Sequence, residues 1–148
     1  MDVRQISVFL ENKPGQLAHL CRIIADAGID LKALNIAETS DYGILRIITD
    51  KPETTLSVLK RESLVCSSTV VVAVRVPDQP GGLAGILDII AKHNISIEYM
   101  YSMLTSSFSG NAIMVFQTAE QSKVFADAGL SVLSGRDVGI TEKKANQA

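Results

Sequence analysis

Two short segments carry the residue types from which a small-molecule site can be built: Asn12-Lys13-Pro14-Gly15 and Asp78-Gln79-Pro80-Gly81. Each lies where a strand-like run hands over to a run with helical spacing. The first backbone N–H groups of a helix have no internal acceptor, and the aligned peptide dipoles make that end partly positive. A Gly there lets a ligand approach the backbone, and Pro fixes φ so that the turn is held in advance. Such a turn suits a carboxylate. Asn12 can donate to a carboxylate or accept from an ammonium, whereas ionised Asp78 can only accept. Asp30 and Ser96 open the strands that follow the two helices, at equivalent positions, and are expected beside the same cleft.

Other chemistry finds little to work with. His19 and His93 share no equivalent position and fall in no metal or triad spacing. There is no glycine-rich phosphate loop. The serine-rich stretch at 105–109 reads as a hairpin loop rather than a nucleophile site. Cys21 and Cys66 make no paired-ligand spacing and read as small apolar residues in a reducing compartment. Tyr99, Met100, Tyr101 and Met103 alternate along a strand, one set packing inside and the other facing a cleft or partner. Neither an enzyme nor a cofactor or metal protein is expected.

The two turns belong to an internal repeat. Laying 14–31 over 80–97, an offset of 66, gives eight identities in eighteen positions, among them Pro14/Pro80, Gly15/Gly81, Leu17/Leu83 and Ile24/Ile90. Each copy reads strand, helix, strand, strand, helix, short strand. In the first, Gln5–Leu10 is a strand, and Leu17, Leu20, Cys21 and Ile24 make one helical stripe closed by Gly28. Strands follow at about Asp30–Glu38 and Gly43–Thr49, joined through Thr39-Ser40-Asp41-Tyr42. A helix then runs to about Arg61, with Asp50 as cap, Glu53 closing a capping box and Pro52 in the first turn, before a short strand at Leu64–Cys66. In the second copy Thr69–Val76 is a strand covered on both faces or central in a sheet, and Leu83, Ile86, Leu87 and Ile90 form the stripe with Asn94 in place of Gly28. Strands at about Ser96–Leu104 and Ala112–Thr118, a helix capped by Thr118 and Gln121 and ending near Gly129, and a strand at Leu130–Leu133 complete it.

This βαββαβ order places two helices on one face of a four-stranded antiparallel sheet, the ferredoxin-like arrangement. An α+β fold is therefore expected, with two such units in tandem, at 1–68 and 69–141, paired side by side into an extended antiparallel sheet with helices on one face. A polar tail follows at 142–148. Of 148 residues, 47% are hydrophobic and 20% charged, enough apolar surface to exclude a disordered chain. A net charge of −2 and the lack of stacking aromatics argue against nucleic acid. No apolar run is long enough to cross a bilayer, and the N-terminus lacks a signal pattern, so a cytoplasmic location is expected.

Leu10-Glu11-Asn12-Lys13-Pro14-Gly15-Gln16-Leu17-Ala18, followed by Gly28-Ile29-Asp30-Leu31, resembles the opening of an ACT domain. Val76-Pro77-Asp78-Gln79-Pro80-Gly81-Gly82-Leu83-Ala84, followed by Asn94-Ile95-Ser96-Ile97, resembles it again, in the style of aspartate kinase regulatory domains. The resemblance implies a small-molecule sensor, usually of amino acids, whose ligand sits between two paired ACT units against the strand-to-helix loop. It implies that Asn12 matches the Asn of the motif in the serine-sensing domain of phosphoglycerate dehydrogenase, and that Asp30 matches a second ligand-contacting Asn there. The family's His two positions before that Asn is Leu10 here, and the second copy has Val76, Asp78 and Ser96, so the two sites are not equivalent. The ligand contacts so implied are Asn12, Lys13, Pro14, Gly15, Gln16, Leu17, Ala18, Asp30 and Leu31, and then Asp78, Gln79, Pro80, Gly81, Gly82, Leu83, Ala84, Ser96 and Ile97. An amino acid ligand, a homodimer and a metabolic enzyme partner are the expected associations. The alternative is a regulatory subunit docking on a biosynthetic enzyme, as the small subunit of acetolactate synthase does.

Overall fold

The computed structural model describes residues 1–38, 41–104 and 110–142. The first repeat forms β1 (Val3–Glu11), α1 (Gln16–Asp26), β2 (Leu31–Glu38), β3 (Tyr42–Thr49) and α2 (Pro52–Arg61). One long strand, β4 (Cys66–Pro77), then serves both repeats. After it come α3 (Gly82–Lys92), β5 (Tyr99–Ser102), β6 (Asn111–Gln117), α4 (Ser122–Asp127) and β7 (Val132–Leu133). The strands form one antiparallel sheet in the order β2-β3-β1-β4-β6-β5, with β7 also on β4. This is the α+β fold of tandem ferredoxin-like units. Thr39 and Ser40, the stretch 105–109 expected as a hairpin loop, and residues 143–148 of the expected tail lie outside the described residues.

The strands expected at Leu64–Cys66 and Thr69–Val76 are joined into one. Ser67 and Ser68 separate them in sequence but find ladder partners in Ser7 and Ile6 of β1, so nothing breaks the extended backbone. Cys66–Val71 pairs with β1, and Val72–Pro77 pairs with β6. The junction expected at 68/69 therefore lies inside β4. Strand β5 is shorter than the expected Ser96–Leu104, and Leu104 leaves β6 to donate its N–H to the Lys32 carbonyl at 2.8 Å.

The helical stripes pack as their spacing predicts. Leu20 and Ile24 of α1 are buried against Ile6, Val8, Leu45 and Ile47, with Leu17 at the margin. In α3, Ile90 is buried against Val72, Val74 and Phe116, while Leu83 at the start of the stripe stays exposed. Gly28 and Asn94 close the two helices at φ of 66° and 56°.

The expected helix caps are overturned. Asp50 Oδ1 instead accepts the Asp30 N–H at 2.9 Å, and Glu53 pairs with Arg4. The N-terminus of α2 is capped from the other end of the chain. The Glu142 carboxylate accepts the N–H groups of Glu53 at 2.7 Å and Thr54 at 3.1 Å, and the Thr54 hydroxyl at 2.5 Å. Local spacing cannot reveal a cap that arrives from 88 residues away. Thr118 likewise turns to the Glu120 N–H, at 3.0 Å, and α4 has no side-chain cap.

Each unit keeps its helices on one face of its part of the sheet. In a flat sheet β2 and β5 would lie about 24 Å apart, five strand spacings. The Lys32–Leu104 hydrogen bond shows that the sheet instead curls until its helix-free faces meet. Val3, Ile48, Val71, Ala73, Tyr101, Ile113 and Val115 fill the seam. Gln5, fully buried, donates from Nε2 to the Tyr99 hydroxyl and accepts the Tyr101 hydroxyl at Oε1, both at 2.7 Å. The Arg46 guanidinium stacks 3.8 Å from the centre of the Tyr99 ring. Of the alternating residues, Tyr99 and Tyr101 of β5 and Met103 just after it thus face the other unit, and Met100 packs beneath the second unit's helices.

Candidate functional site

The strand-to-helix turn is built twice with the same bonds. In the first copy the Asn12 N–H donates to the Asp41 carbonyl at 3.1 Å, the Gln16 N–H to Lys13 at 3.3 Å, and the His19 N–H to Gly15 at 2.9 Å. In the second the Asp78 N–H donates to Gly110 at 3.1 Å, Gly82 to Gln79 at 3.0 Å, and Gly85 to Gly81 at 3.0 Å. Gly15 and Gly81 hold φ of 84° and 82°, a left-handed conformation that excludes most side chains. Neither α1 nor α3 has a side-chain cap or an acidic residue in its first turn. Both helix starts thus present donors and a positive dipole end without a resident carboxylate.

A cavity of about 250 Å³ opens beside the first turn. Its apolar side is Leu10 at the end of β1, Leu17 in the first turn of α1, Ile36 of β2 and Gly43 at the start of β3. Asn12 and Gln16 stand on its polar side, with Glu11 and Lys13. Lys13 and Glu11 form an exposed ion pair at 2.7 Å, and that hydrogen bond raises the lysine above its ordinary value. The cavity gathers Asn12, Lys13, Gln16 and Leu17 from the expected contacts; Pro14, Gly15 and Ala18 hold the turn outside its lining. Sequence reasoning did not assign Glu11, Ile36 or Gly43 to a site. Strand alternation carried part of the signal: Ile36 lies opposite Leu45 and Leu10 opposite Gly43, on the helix-bearing face.

An ACT domain pair profile matches residues 1–138. The chain belongs to this family. A crystal structure of a Bacteroides thetaiotaomicron protein is similar at 34% identity and a TM-score of 0.84, covering 94% of this chain and 96% of that one. The ligand-free regulatory subunit of aspartate kinase from Thermus thermophilus shares the fold at 18% identity and a TM-score of 0.63, covering 87% and 91%. The Thermus flavus subunit shares it at 17% and 0.62, covering 86% and 90%. No protein with a curated description matches the sequence closely.

Within this ACT pair the remaining expected contacts do not converge on the cavity. Asp30 lies beyond the far end of α1, a helix about 16 Å long. There its carboxylate takes the Lys32 ammonium at 2.7 Å, and its backbone is tied to Asp50. Leu31 packs on the first unit's core and Ile97 on the second's, and Ser96 is exposed. Asp78, Gln79, Pro80, Gly81, Leu83 and Ala84 are exposed around the second turn. Gly82 there presses against β4: a Cβ at this position would overlap the Pro77 carbonyl oxygen, where the first copy carries Gln16. His19 and His93 are both exposed, and His93 Nδ1 lies 2.9 Å from the Ile89 carbonyl of its own helix. Among the described residues no three His, Cys, Asp or Glu side chains gather as a metal site requires, and no helix is long and apolar enough to cross a membrane.

Proposed function

We propose that this ACT pair is a non-catalytic regulatory protein that binds an amino acid at the first strand-to-helix turn. The observation that carries the reading is the cavity set against the uncapped start of α1. The α-carboxylate lies toward the first-turn N–H groups, and Asn12 and Gln16 contact the polar end of the ligand. Asp30 and Ser96, at the far ends of their units, reach a ligand only from a neighbouring unit or copy. Strand β2 is an edge of the sheet and Ile36 on it is 49% exposed, so a second copy set against this edge closes the cavity in a homodimer. The protein works in the cytoplasm.

A ligand of eight to eleven heavy atoms gives a Kd of about 1 μM to 1 mM, matched to metabolite pools. A thermal-shift screen with the twenty amino acids tests this directly. One or a few should raise the melting temperature by about 5 °C or more near hundredfold saturation. No shift with any of them at millimolar concentration sinks the reading.

A second reading is favoured by the likeness in fold to aspartate kinase regulatory subunits. In it the pair docks on the catalytic chain of an amino-acid biosynthetic enzyme and passes ligand binding to it. Purification of the tagged protein from its own cells should bring down such an enzyme stoichiometrically, and recovery of the pair alone counts against this reading.

A further inference from the structure

Resting on the amino-acid reading above, we infer that the ligand carries a compact apolar side chain, of the valine, leucine, isoleucine or methionine kind, and that Ile36 is a specificity-determining residue. The apolar wall of the cavity carries the assignment. Leu10, Leu17 and Ile36 meet there around Gly43, and every side chain they present is aliphatic. The polar members, Asn12, Gln16 and the Glu11–Lys13 pair, belong to the turn and the residues next to it. A ligand held at its α-carboxylate and ammonium by the turn therefore projects its side chain onto aliphatic surface. A hydroxyl or carboxylate placed there loses water without gaining a hydrogen bond, which disfavours serine and aspartate.

Size narrows the class further. At about 250 Å³ the space falls short of the roughly 300–1,000 Å³ typical of drug-sized ligands. Gly43 is part of the fit, because a Cβ there would come within 3.3 Å of Ile36 Cδ1 and crowd the wall. Discrimination among aliphatic ligands follows the number of buried methylenes, and discrimination against polar isosteres follows unpaired polar groups.

Titration calorimetry of the full chain with glycine, alanine, 2-aminobutyrate, valine, leucine and serine tests the inference. Affinity should rise about three- to fourfold per added methylene, the fold-change corresponding to transfer of one buried CH₂. Ile36→Lys should weaken leucine at least tenfold, while Val65→Lys, on a residue 69% exposed and outside the cavity lining, should leave it unchanged. Because Ile36 sits half-exposed on an edge strand, circular dichroism of Ile36→Lys should match the parent. Serine binding as tightly as alanine or leucine overturns the aliphatic assignment and leaves amino-acid sensing intact. Binding of none of the six overturns the aliphatic assignment, and overturns amino-acid sensing as well only if none of the twenty shifts the melting temperature. Leucine binding unaltered by Ile36→Lys overturns the role of Ile36.

Discussion

The two strand-to-helix turns share one backbone pattern and have different surroundings. Their hydrogen bonds match one for one, and Gly15 and Gly81 differ by 2° in φ. Beside the first, Gln16 follows the glycine and a cavity opens. Beside the second, Gly82 takes that place and the helix start presses against the Pro77 carbonyl. Asn12 on one side faces Asp78 on the other as its equivalent, a donor replaced by a group that repels carboxylates when ionised. Duplication has kept the turn's backbone in both copies, while Asn12 and Gln16, which line the cavity at the first, are replaced by Asp78 and Gly82 at the second. A shared motif therefore marks where a site can be, and the residues one turn away decide whether it is one.

The same divergence across the repeat gives the largest expected effect at the seam. Gln5 in the first copy corresponds to Val71 in the second, by the offset of 66. Gln5→Ala removes the partner of two tyrosine hydroxyls, Tyr99 and Tyr101, and opens a void, so urea unfolding should report a loss of about 3–5 kcal/mol. Installing the first copy's residue in the second, Gly82→Gln, forces the helix off the Pro77 carbonyl and should cost about 2–3 kcal/mol. The reverse exchange, Gln16→Gly, should cost no more than about 1 kcal/mol. Equal costs for the two exchanges would break the comparison. The seam also has a pH signature. Burial raises Tyr101 above the ordinary tyrosine value of 10.0. The folded chain therefore holds a proton that the unfolded chain releases, and stability falls as pH rises past that value, by up to about 1.4 kcal/mol per pH unit. Chemical unfolding at stepped alkaline pH, followed by tyrosinate absorbance, reads it.

Much of this was legible in the residues. The repeat, the two units, the helical stripes and the left-handed closures at Gly28 and Asn94 follow from local spacing and composition, because short-range sterics and one-sided burial decide them. The curl of the sheet was not, since it depends on Gln5, Tyr99 and Tyr101 meeting across nearly a hundred residues. The lining of the candidate cavity was half legible. Asn12, Lys13, Gln16 and Leu17 are contiguous with the motif, but Ile36 and Gly43 reach the cavity through strand pairing. Asp30 was placed by analogy of position and lies at the opposite end of α1, held by Lys32.

Ligand binding sharpens the contrast between the turns at a smaller scale. Asn12→Ala should weaken the bound amino acid about tenfold, or about 1.4 kcal/mol, by removing a hydrogen bond to a charged group. Asp78→Ala should leave affinity within about twofold. Titration of both variants decides between one functional turn and two: similar losses at both would mean that the second turn also holds ligand.

The smallest expected effect separates the second helices of the two units. The start of α2 is capped by Glu142, which reaches back from the end of the second unit, whereas α4 has no side-chain cap and is 6 residues long against 10. Glu142 therefore does two things: it supplies the acceptor that α2 lacks locally, and it fastens the closing segment of the second unit to the first, beside the Thr141 N–H bond to the Asp50 carbonyl at 2.8 Å. Glu142→Gln keeps the shape and an acceptor but removes the charge that complements the helix dipole, and should cost about 0.5 kcal/mol. Glu142→Ala removes the cap altogether and should cost about 1 kcal/mol. The difference between the two variants isolates the charge, and it should shrink in 1 M salt, where screening acts over about 3 Å. Hydrogen exchange at the Glu53 and Thr54 amides should quicken in Glu142→Ala and stay unchanged in the first turn of α4, because only α2 draws its cap from the other unit.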